Sequence, residues 1–285
     1  MIRSPYKFEG FDFTKLAYAD WTTTLAPSGW TKIDLGLCSD GVNHIYAITL
    51  GALTSKPVIF IEGSIHGAHE WRCGYWIRKL AEMLTDQNSI IYPLAQELKS
   101  IFDFYFIPTL NPYGYINNTY TNANQVNLNR NFPRYWDSWP GGPIGGDQYK
   151  GPSAGSEPET QIVMSVINQY KPFVFVDCHT WGGFNGMSME PADNTFKTMF
   201  ESEKQSFEMD TVGNSINITY TTTYYDPRST LWATSIQSNQ KTTPITLAIE
   251  PGSLEINTIQ SKYGVNYLLK LFMYAAKYYK SRQLR

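Results

Sequence analysis

The chain has 285 residues, of which 42% are hydrophobic and 15% aromatic, so it can bury one large core and a single domain over residues 1–285 is expected. Its 23 basic and 25 acidic residues give a formal net charge of −2, which argues against a nucleic-acid-binding or anionic-membrane-binding protein. The chain has no uninterrupted apolar stretch of about 18 residues, so no membrane span is expected, and three cysteines do not make a disulfide framework.

Strands and helices are predicted in alternation along the first part of the chain. Residues 45–50 and 57–61 are short, rich in β-branched residues and bounded by Gly, Ser or Pro, which predicts two strands. Apolar residues at helical spacing predict a helix over 71–85, and another strand is predicted over 103–108. The turn between the second strand and the helix reads Gly63-Ser64-Ile65-His66-Gly67-Ala68-His69-Glu70-Trp71.

The segment 111–156 is rich in Asn, Gly, Pro and Tyr and is predicted to be a long ordered loop, a kind of segment that is usually functional. Ser156 and Glu159 match a capping box, so a helix is predicted to follow, to about residue 170. Three further strands and a last helix are predicted at 173–178, 216–222, 245–250 and 263–281. Strands alternating with helices predict an α/β fold with a buried, mostly parallel sheet.

Three of the four histidines lie just after predicted strands: His66 and His69 follow one strand, and His179 follows another. In parallel sheets, functional residues gather at the carboxyl ends of the strands, where Asn111 and Glu250 also fall. Two imidazoles and a carboxylate, with one coordination position left for water, make up a catalytic zinc site. The pattern therefore predicts a zinc centre at this edge of the sheet.

Six segments, in this order, resemble the zinc carboxypeptidases, the carboxypeptidase A-like metallopeptidase family. They are Ile65-His66…Glu70-Trp71, Asn111-Pro112-Tyr113-Gly114-Tyr115, Asn127-Leu128-Asn129-Arg130-Asn131-Phe132-Pro133, Ser156-Glu157-Pro158-Glu159-Thr160, Val176-Asp177-Cys178-His179 and Glu250. The resemblance implies a mixed, mostly parallel sheet of about eight strands flanked by helices. It also implies one Zn²⁺ per chain and a short, prosegment-free member of microbial or phage type.

The resemblance also implies roles for residues at the metal site. His66, Glu70 and His179 would hold zinc. Glu250 would be the general base that takes a proton from the attacking water, whose pKa zinc lowers toward about 7, and would pass that proton to the leaving amine. Three residues, where the family has two, separate His66 from Glu70, which leaves His69 as an alternative ligand. Glu70 is preferred because a tryptophan follows it, as in the family.

Further roles concern the substrate. By the same resemblance, Asn129 and Arg130 would clamp a substrate carboxylate, because a guanidinium can form two parallel hydrogen bonds to it. Tyr224 or Tyr225 would supply the family's mobile tyrosine near the substrate, and the alignment does not choose between them. Tyr120 stands where the family has an arginine that polarises the scissile carbonyl.

Two departures from the family pattern affect the expected activity. Loss of a carbonyl-polarising donor costs about 2.7–4 kcal/mol in the transition state, for which the Tyr120 hydroxyl, Arg134 or Arg228 would have to compensate. Asn127 stands where many members have the aspartate that accepts a hydrogen bond from the first zinc histidine. An amide is a weaker, uncharged acceptor, so a lower metal affinity is expected.

The sequence therefore predicts a zinc-dependent peptidase acting on a peptide-like substrate with a free carboxylate, and no nucleic-acid or membrane partner. If Arg228 reaches the specificity pocket, an acidic substrate is expected, such as a bacterial cell-wall stem peptide. Two alternatives are a catalytically weak or inactive carboxypeptidase-like binding protein and a deacylase of N-acyl amino acids. The first residues lack the apolar core of a signal peptide, so a cytoplasmic or non-classically released protein is expected.

Overall fold

The computed structural model describes residues 8–180, 186–189, 217–220, 227–230, 232–233, 245–250 and 257–283. At residues 69, 186–189, 217–220, 250 and 257–260 it describes the backbone alone. The strands are β1 (Thr31–Leu37), β2 (His44–Leu50), β3 (Val58–Gly63), β4 (Asp103–Ile107), β5 (Val174–Cys178), β6 (Gly186–Met189), β7 (Asn217–Tyr220) and β8 (Ile245–Glu250). The helices with described bounds are α1 (Tyr18–Thr23), α2 (Gly67–Thr85), α3 (Tyr92–Ile101), α4 (Pro112–Asn117), α5 (Pro158–Tyr170) and α6 (Asn257–Gln283).

The eight strands that the structure describes belong to one mixed sheet, in the order β1-β2-β4-β3-β5-β8-β6-β7. The central strands β4, β3, β5 and β8 run parallel to one another. At the edges, β1 and β2 are antiparallel to their neighbours, and β6 is antiparallel to β8. Every residue of β3, β4 and β5 is buried, as is typical of parallel strands covered on both faces. The predicted α/β fold with a mixed, mostly parallel sheet is confirmed.

Alternate residues of the central strands pack into two separate cores, one on each face of the sheet. Ile59 and Ile61 of β3 face the core that contains Trp76 of α2 and the apolar residues of α6. Phe60 faces the other core, where its ring centroid lies 5.1 Å from that of Phe175. Each such side chain contributes about 1.5–3 kcal/mol when fully buried. The two cores fix the sheet, so the carboxyl ends of β3, β4, β5 and β8 meet at one edge.

The predicted capping box at the start of α5 is wrong. The N-cap is Glu157, which makes no capping hydrogen bond through its side chain, and Pro158 occupies the first turn. The Ser156 hydroxyl donates to Oε1 of Glu157 over 2.6 Å. Glu159 instead accepts a hydrogen bond from the backbone N–H of Ser39 over 2.9 Å. The carboxylate thus joins α5 to a distant loop and does not cap the helix.

The segment 111–156 contains α4 and a short 3-10 turn, Leu128–Arg130, and buried side chains hold it in place. The Asn122 amide donates to Oε2 of Glu157 over 2.7 Å and to Oε2 of Glu159 over 3.2 Å. The Asn131 amide donates to the carbonyl oxygen of Lys150 over 2.8 Å. These contacts agree with the prediction that the segment is ordered. The segment was predicted to be a loop, and it also contains helical turns.

Two further expectations concern cysteines and membranes. All three cysteines are buried and free, in agreement with the absence of a disulfide framework. Within the described ranges, every helix is too short or too polar to cross a lipid bilayer.

Candidate metal centre

The turn after β3 leads into α2 and places two candidate ligands, His66 and Glu70, on the same face at the N-terminal end of this helix. Ser64 adopts φ of 60°, in the left-handed region that non-glycine residues rarely occupy, and its hydroxyl lies 2.8 Å from the carbonyl oxygen of Glu70. His66 is the N-cap of α2, which begins at Gly67. Glu70 comes four residues after His66, so one helical turn brings the two side chains to the same face. The three intervening residues therefore fit within one helical turn.

Gly67 allows α2 to begin in close contact with α4. A Cβ atom at Gly67 would lie 2.0 Å from the carbonyl carbon of Gly114, a backbone atom that cannot move aside. The α4 segment is itself fixed, because the Asn111 side chain accepts a hydrogen bond from the Gly114 N–H over 2.8 Å and donates one to the Ile65 carbonyl over 3.2 Å. The close backbone contact between α2 and α4 thus fixes the position of His66 at the start of α2.

Replacing Gly67 with alanine is expected to destabilise the metal-free protein by about 1–3 kcal/mol, the usual cost of overpacking. An unhindered glycine inside a helix gives the opposite result, because alanine raises helix propensity by up to about 1 kcal/mol. Urea denaturation of wild type and variant, both with chelator present, measures the difference. A variant as stable as wild type would show that α2 and α4 are not in the close contact described.

Three buried side chains converge beyond the carboxyl ends of β3 and β5. His66, Glu70 and His179 are 4%, 5% and 3% exposed. Nδ1 of His66 and Nδ1 of His179 each lie 3.0 Å from Oε1 of Glu70. Within the part of the chain that is described, these residues offer metal-ligand atoms that all lie within 4.8 Å of one another. The structure thus brings together the three residues predicted to bind the metal.

The outer nitrogen of each imidazole has an oxygen acceptor. Nε2 of His66 lies 3.0 Å from Oδ1 of Asn127, and Nε2 of His179 lies 2.7 Å from Oδ2 of Asp177. These acceptors keep a proton on Nε2, so Nδ1 is the nitrogen that would bind a metal, after losing any proton of its own. Two nitrogens, a carboxylate oxygen and hydrogen-bonded outer N–H groups fit Zn²⁺.

The Asn127 amide is held in the orientation that presents its oxygen to His66. Its Oδ1 also accepts a hydrogen bond from the Asn129 backbone N–H over 2.9 Å, while its Nδ2 donates to the carbonyl of Asp147. The substitution of asparagine for aspartate therefore keeps the hydrogen bond to the imidazole and removes only the negative charge.

Opposite charges control ionisation within the metal centre. Burial opposes ionisation of Glu70, but the imidazoles of His66 and His179 outweigh it and lower the pKa of Glu70 to about 2. Burial also disfavours the imidazolium form of His179, but the carboxylates of Asp177 and Glu70 outweigh it and raise the pKa of His179 well above its ordinary value. Glu70 is therefore an ionised carboxylate, as a metal ligand requires.

The Tyr120 ring lies flat on the outer face of the metal centre. Its centroid is 3.9 Å from that of His66, with an angle of 9° between the planes, and 36% of the residue is exposed. The structure thus brings this predicted substrate-binding residue to the site.

The predicted carboxylate clamp lies on the 3-10 turn beside Asn127. Asn129 is buried, and its Oδ1 accepts a hydrogen bond from the Ser229 N–H over 3.3 Å. The Arg130 guanidinium donates to Oε1 of Gln148 over 3.0 Å and to the Asn129 carbonyl over 2.7 Å, and it lies 5.6 Å from the ring centroid of Trp139. Asn129 therefore lies beside the metal centre, with its amide nitrogen 3.5 Å from Nε2 of His179, and Arg130 is the next residue on the turn.

The structure describes the remaining predicted site residues in part or not at all. Glu250 ends β8, and its neighbour Ile249 accepts a hydrogen bond from the His179 N–H over 2.7 Å, so the two backbones are adjacent. The side chains of Glu250 and His69 lie outside the described atoms. Tyr224 and Tyr225 lie outside the described residues.

The acids behind His179 were not predicted from the sequence. Asp177 is 1% exposed and contacts the imidazole, and Glu62 is fully buried on the neighbouring strand. A signal was available, because an acid within an otherwise apolar buried strand is costly and needs a partner. Ser229 was likewise missed, and its hydroxyl donates to Oδ2 of Asp177 over 2.9 Å.

Comparison with known proteins gives related sequences and folds. The family model described as zinc carboxypeptidase matches residues 17–270. A metallocarboxypeptidase A-like protein of Trichophyton verrucosum is 28% identical over 178 residues, which cover 53% of this chain and 41% of that protein. The chain spans only 33–54% of the length of the curated relatives it matches.

Two solved structures illustrate the shared fold. Bovine thrombin-activatable fibrinolysis inhibitor, in complex with tick carboxypeptidase inhibitor, is similar with a TM-score of 0.72 and 15% identity, over 93% of this chain and 96% of that chain. The murein-tripeptide amidase of Escherichia coli O157 is similar with a TM-score of 0.57 and 18% identity, over 87% of this chain and 92% of that one.

Proposed function

This chain belongs to the zinc carboxypeptidase family, and on that premise we propose that it is a zinc-dependent peptidase. It would hydrolyse a peptide bond, or a related amide, next to a free carboxylate. The observation behind the proposal is the convergence of His66, Glu70 and His179 in a buried site whose outer imidazole nitrogens are already hydrogen-bonded. A structural role alone would not require both Nδ1 atoms to face one carboxylate oxygen.

The chemistry divides between the metal and the protein. Bound by His66, Glu70 and His179, zinc would supply Lewis-acid polarisation of a water molecule and of the scissile carbonyl. Glu250, at the end of β8, would accept the proton of the attacking water and return it to the leaving amine. The Tyr120 hydroxyl is our candidate for the donor to the carbonyl oxygen, since its ring packs on His66.

Substrate recognition would use the residues on the 3-10 turn. Arg130 and Asn129 would bind the free carboxylate, with the guanidinium supplying two parallel N–H groups. Tyr224 or Tyr225 would close over the substrate. The contacts of Arg130 with Gln148 and Trp139 support this role, because they fix the direction of the guanidinium before substrate arrives.

Replacing Arg130 with lysine is expected to lower kcat/KM about 10- to 100-fold on substrates with a free carboxylate, mainly through KM. Lysine keeps the charge but cannot form the planar pair of hydrogen bonds, and hydrogen bonds to charged groups contribute about 1.5–3 kcal/mol. Matched substrates with an amidated terminus serve as the control, and the variant should cleave them as poorly as wild type does. An equal proportional loss on both substrate sets would contradict the clamp.

We further propose bacterial cell-wall stem peptides as the substrate class. Arg228 lies one residue before Ser229, whose N–H group contacts Asn129, so the Arg228 backbone is near the proposed clamp and its guanidinium would suit an additional substrate carboxylate. The murein-tripeptide amidase shares the fold, with 18% identity.

The test of the proposed function combines metal analysis with a substrate panel. Protein purified without chelator should contain about one zinc per chain and should cleave stem peptides or other peptides with a free carboxylate, in a chelator-sensitive way. Cleavage of N-acyl amino acids in preference to peptides would indicate a deacylase. Bound zinc without hydrolysis of any substrate in the panel would favour a binding protein. Protein that binds no zinc, even after zinc is added, would refute the metal centre.

A further inference from the structure

A pair of buried acids lies behind the metal centre, on the side away from the proposed metal. Glu62 of β3 and Asp177 of β5 are register partners in neighbouring parallel strands, and they are 0% and 1% exposed. Two residues earlier on each strand, the Phe60 and Phe175 rings pack with centroids 5.1 Å apart on the same face of the sheet. Because side chains alternate along a strand, the two carboxyl groups project side by side from that face.

The hydrogen bonds around this pair are incomplete. Oδ2 of Asp177 is bonded to Nε2 of His179 over 2.7 Å and accepts from the Ser229 hydroxyl over 2.9 Å. Among the described residues, three carboxyl oxygens of the pair have no hydrogen-bond partner: both oxygens of Glu62 and Oδ1 of Asp177. A buried polar atom without a partner costs about 1–3 kcal/mol, and more when it is charged. Three such atoms on two adjacent carboxyl groups therefore need a common explanation.

A single proton would pair two of these three atoms, one Glu62 oxygen and Oδ1 of Asp177, and would leave the second Glu62 oxygen on an uncharged carboxyl group. Two ionised carboxylates side by side in a buried site would repel each other, so one of them holds a proton. Asp177 already accepts two hydrogen bonds, which favour its ionised form, whereas Glu62 accepts none. Burial, and after it the charge of Asp177, raise the pKa of Glu62 well above its ordinary value, in agreement with the geometry.

We propose that Glu62 is a positioning residue whose protonated carboxyl donates a hydrogen bond to Oδ1 of Asp177 and thereby holds Oδ2 on the His179 imidazole. The inference rests on the proposed function, since it takes His179 as a zinc ligand. The Glu62–Asp177–His179 series fixes the imidazole rotation and keeps the proton on Nε2. Nδ1 is then directed to the metal before the metal arrives. Outer partners of this kind typically change metal affinity or activity 10- to 100-fold.

Two variants separate this role from simple packing. Glu62→Gln keeps the shape and a donor, so the zinc dissociation constant, measured by chelator competition, should stay within about threefold of wild type. Glu62→Leu fills the space without a donor, and its zinc affinity should fall about 10- to 100-fold. Glu159→Gln, a neutralised buried acid away from His179, is the matched control and should bind zinc like wild type. Wild-type affinity in Glu62→Leu would overturn the proposal.

An infrared measurement on the metal-free protein tests the hydrogen bond without relying on zinc or activity. The difference spectrum between wild type and Glu62→Gln should contain the carbonyl band of a protonated carboxyl group, and that between wild type and Glu159→Gln serves for comparison. Absence of the band would overturn the proposal even if Glu62→Leu failed to fold. If wild type bound no zinc, the proposed function would fail, while the presence of the band would still establish the hydrogen-bonded pair.

Discussion

Glu250→Gln is expected to leave one zinc per chain and to lower kcat about 10²- to 10⁴-fold, the range that general acid–base catalysis contributes. Glutamine has nearly the same shape as glutamate but cannot accept the proton of the attacking water. Because the proposed metal ligands are His66, Glu70 and His179, removal of this carboxylate should not release the metal. Steady-state kinetics on a peptide with a free carboxylate, together with metal analysis of the same preparation, measure both quantities.

The control for this variant is the same chemical change at Glu97, a half-exposed residue whose carboxylate pairs with Lys280 and which no step of the mechanism uses. Glu97→Gln should retain both zinc and turnover. If Glu250→Gln kept near-full turnover, the general base would be another residue. If it lost zinc as well as activity, Glu250 would instead contribute to metal binding.

Glu70→Ala is expected to lower zinc affinity by more than about 100-fold, beyond the 10- to 100-fold cost of losing an outer partner. The carboxylate is one of three proposed ligands, and Oε1 lies 3.0 Å from each Nδ1 atom of the two histidines. His69→Ala, in the same turn of α2, should change the affinity by less than about threefold and serves as the matched comparison. Chelator competition monitored with a zinc indicator measures both variants.

The reverse result would reassign the ligand set. Residues three and four positions after His66 fall on the same helical face, so spacing alone does not distinguish His69 from Glu70. Zinc loss in His69→Ala with zinc retained in Glu70→Ala would make His69 the ligand. Loss in both would place Glu70 and His69 together around the metal.

The central part of the fold was predictable because its signals are local and strong. Strand β3 begins with a continuous apolar run, residues 58–61, directly after Pro57, and β8 was predicted with the bounds that the structure has. The metal cluster was predictable for a related reason, since His66 and Glu70 lie in the turn and helix start that follow β3, and His179 directly follows β5. Parallel strands bring their carboxyl ends together regardless of the distance between them in sequence.

Other elements were missed because their sequence signals are weak. Strand β1 precedes residue 45, where strands were expected to begin, and it is a partly exposed edge strand with polar and glycine residues, so it lacks clean alternation. Helix α3 contains Pro at its start and only ten residues. The first turn of α2 was missed because Gly67 is a poor helix former, yet the contact of α2 with α4 requires glycine there.

The partners of the ligands were less predictable than the ligands themselves. Asn127 was expected to weaken the site. Its amide oxygen nevertheless faces His66, because its amide nitrogen donates to the carbonyl of Asp147, a contact that only the folded chain creates. The Glu62–Asp177 pair depends on the register of β3 against β5, which neither strand specifies alone.

The buried amide and carboxylate contacts of Asn122, Asn131 and Glu157 have a consequence for the rate of substrate capture. They hold the segment 111–156 in one arrangement before any substrate binds. A preformed surface loses little conformational freedom when a ligand docks, so less of the interaction energy is spent on ordering the protein. If the proposed substrate docks on this segment, binding there would need no slow loop rearrangement, and association would be governed by diffusion and charge.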